Sequence, residues 1–135
     1  MRCVGVDFGG ARIGLAVGEA EHGIASPRGT LQAAGVLAKD AAAIAELATR
    51  EHADSVVIGL PLDVEGETKM AAVCRKLGIC IESHGLEVYF VDESFTSAEA
   101  ELEMRQAGLK GSERRRASDP MAACKILERF FEQTQ

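Results

Sequence analysis

Apolar residues along this chain fall into two rhythms: short unbroken runs, and stripes spaced by three or four positions. Arg2 to Val6 reads as a buried strand, and it ends on a carboxylate, Asp7. A tight Gly9-Gly10 turn leads into Ile13-Gly14-Leu15-Ala16-Val17, so the first two runs predict a hairpin. His22 to Leu31 reads as a third strand, interrupted by Pro27 and therefore placed at a bend or an edge. Gly35 to Glu51 is helical, with Leu37, Ala41, Ile44 and Ala48 on one face. Ser55 to Leu60 is too apolar for a half-exposed strand and, flanked by helices, suggests a central parallel one. It stops at Pro61, and Pro61 to Glu67 predicts a loop.

The second half repeats the alternation. Thr68 to His84 is a second helix, striped by Met70, Val73, Leu77 and Ile81, and Glu87 to Val91 is the next strand, ending on Asp92-Glu93. A third helix opens at Thr96, where T-S-A-E forms a capping box with Glu99. It runs to about Gln106 and stops near Gly108. A basic loop follows, and a last helix starts near Asp119-Pro120 and runs to about Glu132, with Met121, Cys124, Leu127 and Phe131 on one face. The order β-β-β-α-β-α-β-α-α predicts an α/β fold: an antiparallel hairpin sheet extended by parallel strands through helical crossovers.

At 135 residues the chain is expected to form a single domain over 1–135 that needs no disulfide or structural metal. Cys3, Cys74, Cys80 and Cys124 lack C-x-x-C spacing, and His22, His52 and His84 are scattered. Reduced thiols in a cytoplasmic protein are therefore expected, and a zinc site is not. No apolar run reaches the length of a membrane span, and no cleavable secretory pattern is present. A net charge of −6 argues against a general nucleic-acid coat protein. The stretch from Arg105 to Arg116 qualifies that, because Arg105, Lys110, Arg114, Arg115 and Arg116 face a single acid, Glu113.

Three acids stand at comparable places. Asp7 ends the first strand, Glu93 follows the last strand, and Asp119 begins the final helix. Ligands of α/β sheets collect outside the carboxyl ends of strands. If the first and last strands are neighbours, Asp7 and Glu93 converge at one edge, with Asp119 lowered onto them. Three hard oxygen ligands without histidine or thiolate suit Mg²⁺ or Mn²⁺. Two such ions can activate a water and stabilise the leaving oxygen of a phosphodiester. Each acid also has a plainer account. Asp119-Pro120 is a good helix start, Asp7 beside Gly9 could begin a turn, and Asp92-Glu93 could be solvated. The basic stretch and Arg12 could be ordinary surface. Taken together, the signals favour chemistry.

The same residues resemble the YqgF/RuvX family of pre-16S ribosomal RNA nucleases, also called Holliday junction resolvase-like. D-F-G-G-A-R-I-G at Asp7 to Gly14 is similar to the family's D-x-G-x-x-R-I-G, and V-I-G-L-P-L with Gly66 to its central strand and loop. D-E-S-F-T-S at Asp92 to Ser97 and D-P-M-A-A-C-K-I-L at Asp119 to Leu127 are similar to its two later motifs. The chain departs at Ser94, where the family usually has Arg, and at Asp63, where Asn is common, and it lacks the usual second loop glycine.

The resemblance implies a ribonuclease H-like mixed sheet flanked by helices and a nuclease site on Asp7, Glu93 and Asp119. On this expectation Asp7 bridges two Mg²⁺ or Mn²⁺ ions, Glu93 and Asp119 complete the ligand sets, and Arg12 with Arg114, Arg115 and Arg116 holds flanking phosphates. RNA is the favoured partner, with the small-subunit precursor as substrate, and branched DNA is the alternative. Two other classes remain open: a ribosome-assembly module without catalysis, and an ATP-using module of the actin and sugar-kinase type. The latter needs a second related domain, for which the chain is too short.

Overall fold

The computed structural model describes residues 1–93 and 111–134, with backbone alone described at Asp63 and over residues 111–119. The predicted helix over 96–106, its Thr96 cap and the start of the basic stretch at 105–110 lie outside the described residues.

Strands β1 (Arg2–Phe8), β2 (Arg12–Glu19) and β3 (Ile24–Gln32) form an antiparallel meander. After α1 (Leu37–Arg50), β4 (Ser55–Leu60) lies parallel to β1. The chain then passes through the short pair β5 (Leu62–Asp63) and β6 (Gly66–Glu67) and α2 (Lys69–Glu82), and β7 (Glu87–Asp92) adds parallel to β4. The sheet order is β3-β2-β1-β4-β7, the expected mixed sheet, with β1 at its centre and β4 an interior strand parallel to both of its neighbours. Pro27 sits on the edge strand β3, where a missing ladder donor costs least, and the β2–β3 register shifts between Gly14 and Ala16.

One expectation needs correction here, and one condition is not met. Residues 61–67 are not a plain loop: Leu62 pairs with Glu67 and Asp63 with Gly66. Gly66, at φ 114°, makes the backbone turn that an L side chain resists, and the Thr68 hydroxyl closes the base by donating to the Pro61 carbonyl at 2.9 Å. The same Thr68 oxygen accepts the Ala71 N–H at 3.2 Å and so caps α2. The first and last strands, moreover, are not neighbours, because β4 separates β1 from β7.

The last helix, α3, spans Gly111–Gln133, so it starts well before Asp119 and carries Pro120 inside it. Asp119 is therefore not its N-cap, and Arg114, Arg115 and Arg116 lie on a helix instead of in a loop. Proline leaves the carbonyl four residues back without its helical donor, yet the preceding S-E-R-R-R-A is rich in good helix formers that sustain the turn. The buried stripe of α3 is also rotated from the expected one. Ala122, Ala123, Ile126, Leu127, Phe130 and Phe131 are buried, while Met121 and Cys124 are only half-buried.

The helices divide the core in two. Helices α1 and α2 cover the face bearing Val4, Val6, Phe8, Val56, Ile58 and Leu60, and α3 covers the face bearing Cys3, Ala16, Val57 and Val91. At Gly5 the second face is bare enough for α3 to sit almost on the backbone. A Cβ there would fall 2.6 Å from Leu127 Cγ and 2.8 Å from the Ala123 carbonyl oxygen. Phe131 lies over Gly18, which pairs with Cys3 near the start of β1. Helix α3 therefore runs antiparallel to β1, and its N-terminal half extends toward the end where Asp7 stands.

Candidate active site

Strand periodicity aims the acids. Side chains alternate faces, so Asp7 shares the α3 side of β1 with Cys3 and Gly5, and Glu93, two beyond Val91, continues the α3 side of β7. The Glu93 N–H donates to the Leu60 carbonyl at 3.1 Å, which holds the residue in line just past the strand. Arg129 of α3 donates to the neighbouring Asp92 carbonyl at 2.6 Å and ties the helix to the same strand end.

A missing side chain lets the acids meet across the intervening strand. Gly59 of β4 pairs with Val91 and faces α3, and a Cβ on it would lie 2.7 Å from Glu93 Oε2 and 2.5 Å from Ile126 Cδ1. Glu93 thus folds back over Gly59 and reaches Asp7. Gly59, whose missing side chain permits this approach, was not among the candidate residues read from the sequence. Its signal was a glycine inside a β-branched run, which marks a close approach.

Asp7 is only 7% exposed. Oε2 of Glu93 is buried with no hydrogen-bond partner. Burial first, then the charge of Asp7, its hydrogen bond and the charge of Asp92 push the Glu93 carboxyl well above the ordinary carboxylate range. The negative field reaches the far side of the sheet. Burial first, then Glu93 and Asp7, push the Cys74 thiol of α2 up to about 12. Two acids in this state need either a shared proton or a cation. An orphaned buried carboxylate oxygen and an all-oxygen donor pair fit a hard divalent ion, so the residues present suit Mg²⁺ or Mn²⁺.

The structure brings Asp7 and Glu93 together and treats the other predicted residues differently. Asp119 occupies the α3 position one turn before Ala123, on the segment that heads for the Asp7 end, and its side chain lies outside the described residues. No set of three potential metal-ligating side chains gathers among the described residues. Arg12 opens β2, half-buried, at the same end of the sheet. The side chains of Arg114, Arg115 and Arg116 lie outside the described residues, as does Ser94.

A family model described as RuvX, Holliday junction resolvase, matches residues 1–133. A protein of Methylobacillus flagellatus, named provisionally as a pre-16S rRNA nuclease, is 39% identical over 96% of this chain and 90% of its own. A protein of Chromobacterium violaceum with the same name is 39% identical over 94% of each. Among solved structures, RuvC of T. thermophilus in complex with a Holliday junction substrate is similar at a TM-score of 0.56. It covers 99% of this chain and 95% of its own at 18% identity, a likeness of fold.

Proposed function

The chain belongs to the RuvX family, and we propose that it is a divalent-metal-dependent nuclease that processes the precursor of 16S ribosomal RNA in the cytoplasm. The observation that carries this reading is the meeting of Asp7 and Glu93 over Gly59, with one oxygen of Glu93 buried and unpartnered. A purely structural pair of like charges costs stability and brings nothing in return.

Asp7, Glu93 and Asp119 are the residues that would hold the metal, with Asp7 and Glu93 facing each other and Asp119 descending from α3. When bound, such ions lower the pKa of water and offset charge on the leaving oxygen of a phosphodiester. The protein's own part is to fix both carboxylates facing each other, where a cation in place of the shared proton would leave both ionised. The β1 and β7 ladders set their backbones, and the glycine gap on β4 sets their approach. Arg12 and the Arg114 to Arg116 turn of α3 would hold phosphates on either side of the scissile bond without reading sequence.

Incubating the purified protein with precursor 16S RNA and, in parallel, with a four-way DNA junction tests this reading. Cleavage of the RNA should require Mg²⁺ or Mn²⁺, stop with EDTA and be lost in Asp7→Asn. Preferential cutting of the junction would move the assignment to branched-DNA resolution, the activity in the matched family's description. Full activity in a folded Asp7→Asn protein would refute the site.

A further inference from the structure

A groove of about 590 Å³ opens over the β2–β3 edge, at the same end of the sheet as the acids, lined by Ala11, Arg12, Gly29, Thr30, Gln32 and Pro120. This is within the range of small-ligand sites. Its floor continues the row of the sheet that carries the acids. Asp7 pairs with Gly14, and Gly14 pairs with Thr30 on the edge strand. Gly14 has no side chain, so nothing from β2 stands between Asp7 and Thr30 in that row. Two strand spacings separate them, roughly 10 Å. One step toward the β1–β2 turn, Arg12 pairs with Gln32. The Ala33 N–H donates to the Ala11 carbonyl at 2.9 Å and holds the end of β3 against that turn.

We propose that this groove is a subsite for one unpaired nucleobase of the substrate strand. The proposal rests on the nuclease reading and deepens it. Pro120 and the bare backbone at Gly29 supply the apolar part of the lining, against which a base would lie. The Thr30 hydroxyl and the Gln32 amide each offer both a donor and an acceptor, matching the mixed edge of a base. In a duplex that edge is already used by the opposite strand. Arg12 itself lines the groove, one step nearer the β1–β2 turn than the Asp7–Gly14–Thr30 row, from where its guanidinium would meet the phosphate of the bound nucleotide. The site therefore selects single-stranded or unstacked substrate before cleavage, through edges that pairing would hide.

The test uses the full chain carrying Asp7→Asn, so that strands stay intact, and a short oligoribonucleotide with 2-aminopurine as the reporter base. The single strand should bind about tenfold more tightly than the same sequence in a perfect duplex, the size of one or two net hydrogen bonds that only the unpaired base can make. Its emission should change on binding. An abasic nucleotide at the reporter position, or the pair Thr30→Val and Gln32→Ala, should each remove that preference. Both side chains are exposed on an edge strand, so the variants should fold. Equal binding of the abasic strand, an unchanged preference in the double variant, or displacement by an equimolar nucleoside monophosphate would overturn the proposal. Cleavage by the protein with Asp7 intact separates the two readings. Asp7-dependent cutting without base preference removes the subsite alone, and base preference without any cutting removes the nuclease reading.

Discussion

The two ends of the sheet handle charge in opposite ways. At the amino end of β1, Arg2 bridges Glu19 at 2.9 Å and Glu51 at 2.8 Å, and Arg28 of β3 reaches Glu51 at 3.2 Å. Glu19 and Glu51 each have a guanidinium, and the Arg28 hydrogen bond, with help from Arg2, holds Glu51 below the ordinary carboxylate range. At the carboxyl end, Asp7 and Glu93 face each other, and Glu93 is driven upward. The first arrangement fastens β1, β2, β3 and α1 together. The second opposes folding, and under the proposed function a bound cation would offset that cost. Strain of this kind at a working site is the usual exchange between stability and activity.

The largest expected effect comes from removing the carboxylate on β1. Asp7→Asn should lower cleavage by on the order of a hundredfold to a thousandfold, as loss of a main electrostatic contributor does, while circular dichroism stays unchanged. Closing the glycine gap is expected next. Gly59→Ala sets a methyl against Glu93 Oε2 and Ile126 Cδ1 and should cost about 1–3 kcal/mol in denaturant unfolding as overpacking. It should also lower cleavage more than an equally destabilising change on the α1 side, such as Ile44→Val; equal losses would mean that Gly59 does not position Glu93.

Glu93→Gln should uncouple the two properties. A raised carboxyl means that the folded protein holds its proton to higher pH than the unfolded chain does. The metal-free protein therefore loses stability as pH rises above the ordinary carboxylate range and through the raised value. The glutamine variant should lack that decline, unfold at higher temperature near neutral pH without metal, and gain less than the parent from added Mg²⁺. A parent melting temperature that does not fall with pH in EDTA would deny the strain. The smallest effect is at the opposite end. Glu51→Gln should cost less than about 1 kcal/mol. The loss should appear only above the ordinary carboxylate range, since a lowered carboxyl contributes nothing once pH falls through its folded value, and it should shrink in high salt without altering cleavage.

What could be read along the chain was whatever short-range pattern encodes. Unbroken apolar runs marked β1, β2, β4 and β7, and three-to-four spacing marked α1 and α2, because each side chain's face follows from local periodicity alone. Asp7 and Glu93 stood out as carboxylates where such runs end. The helix start at Asp119 misled because Pro is equally a first-turn residue and a tolerated kink, and only packing of α3 along the sheet favours the second.

Tertiary structure decided everything that depends on distance across strands. No local pattern says that β4 lies between β1 and β7, that the glycine in V-I-G-L sits under the Glu93 carboxylate, or that Thr30 falls in the same row as Asp7. Strand order and register are set by the burial of both faces at once, a sum over the whole core to which no single segment holds the answer.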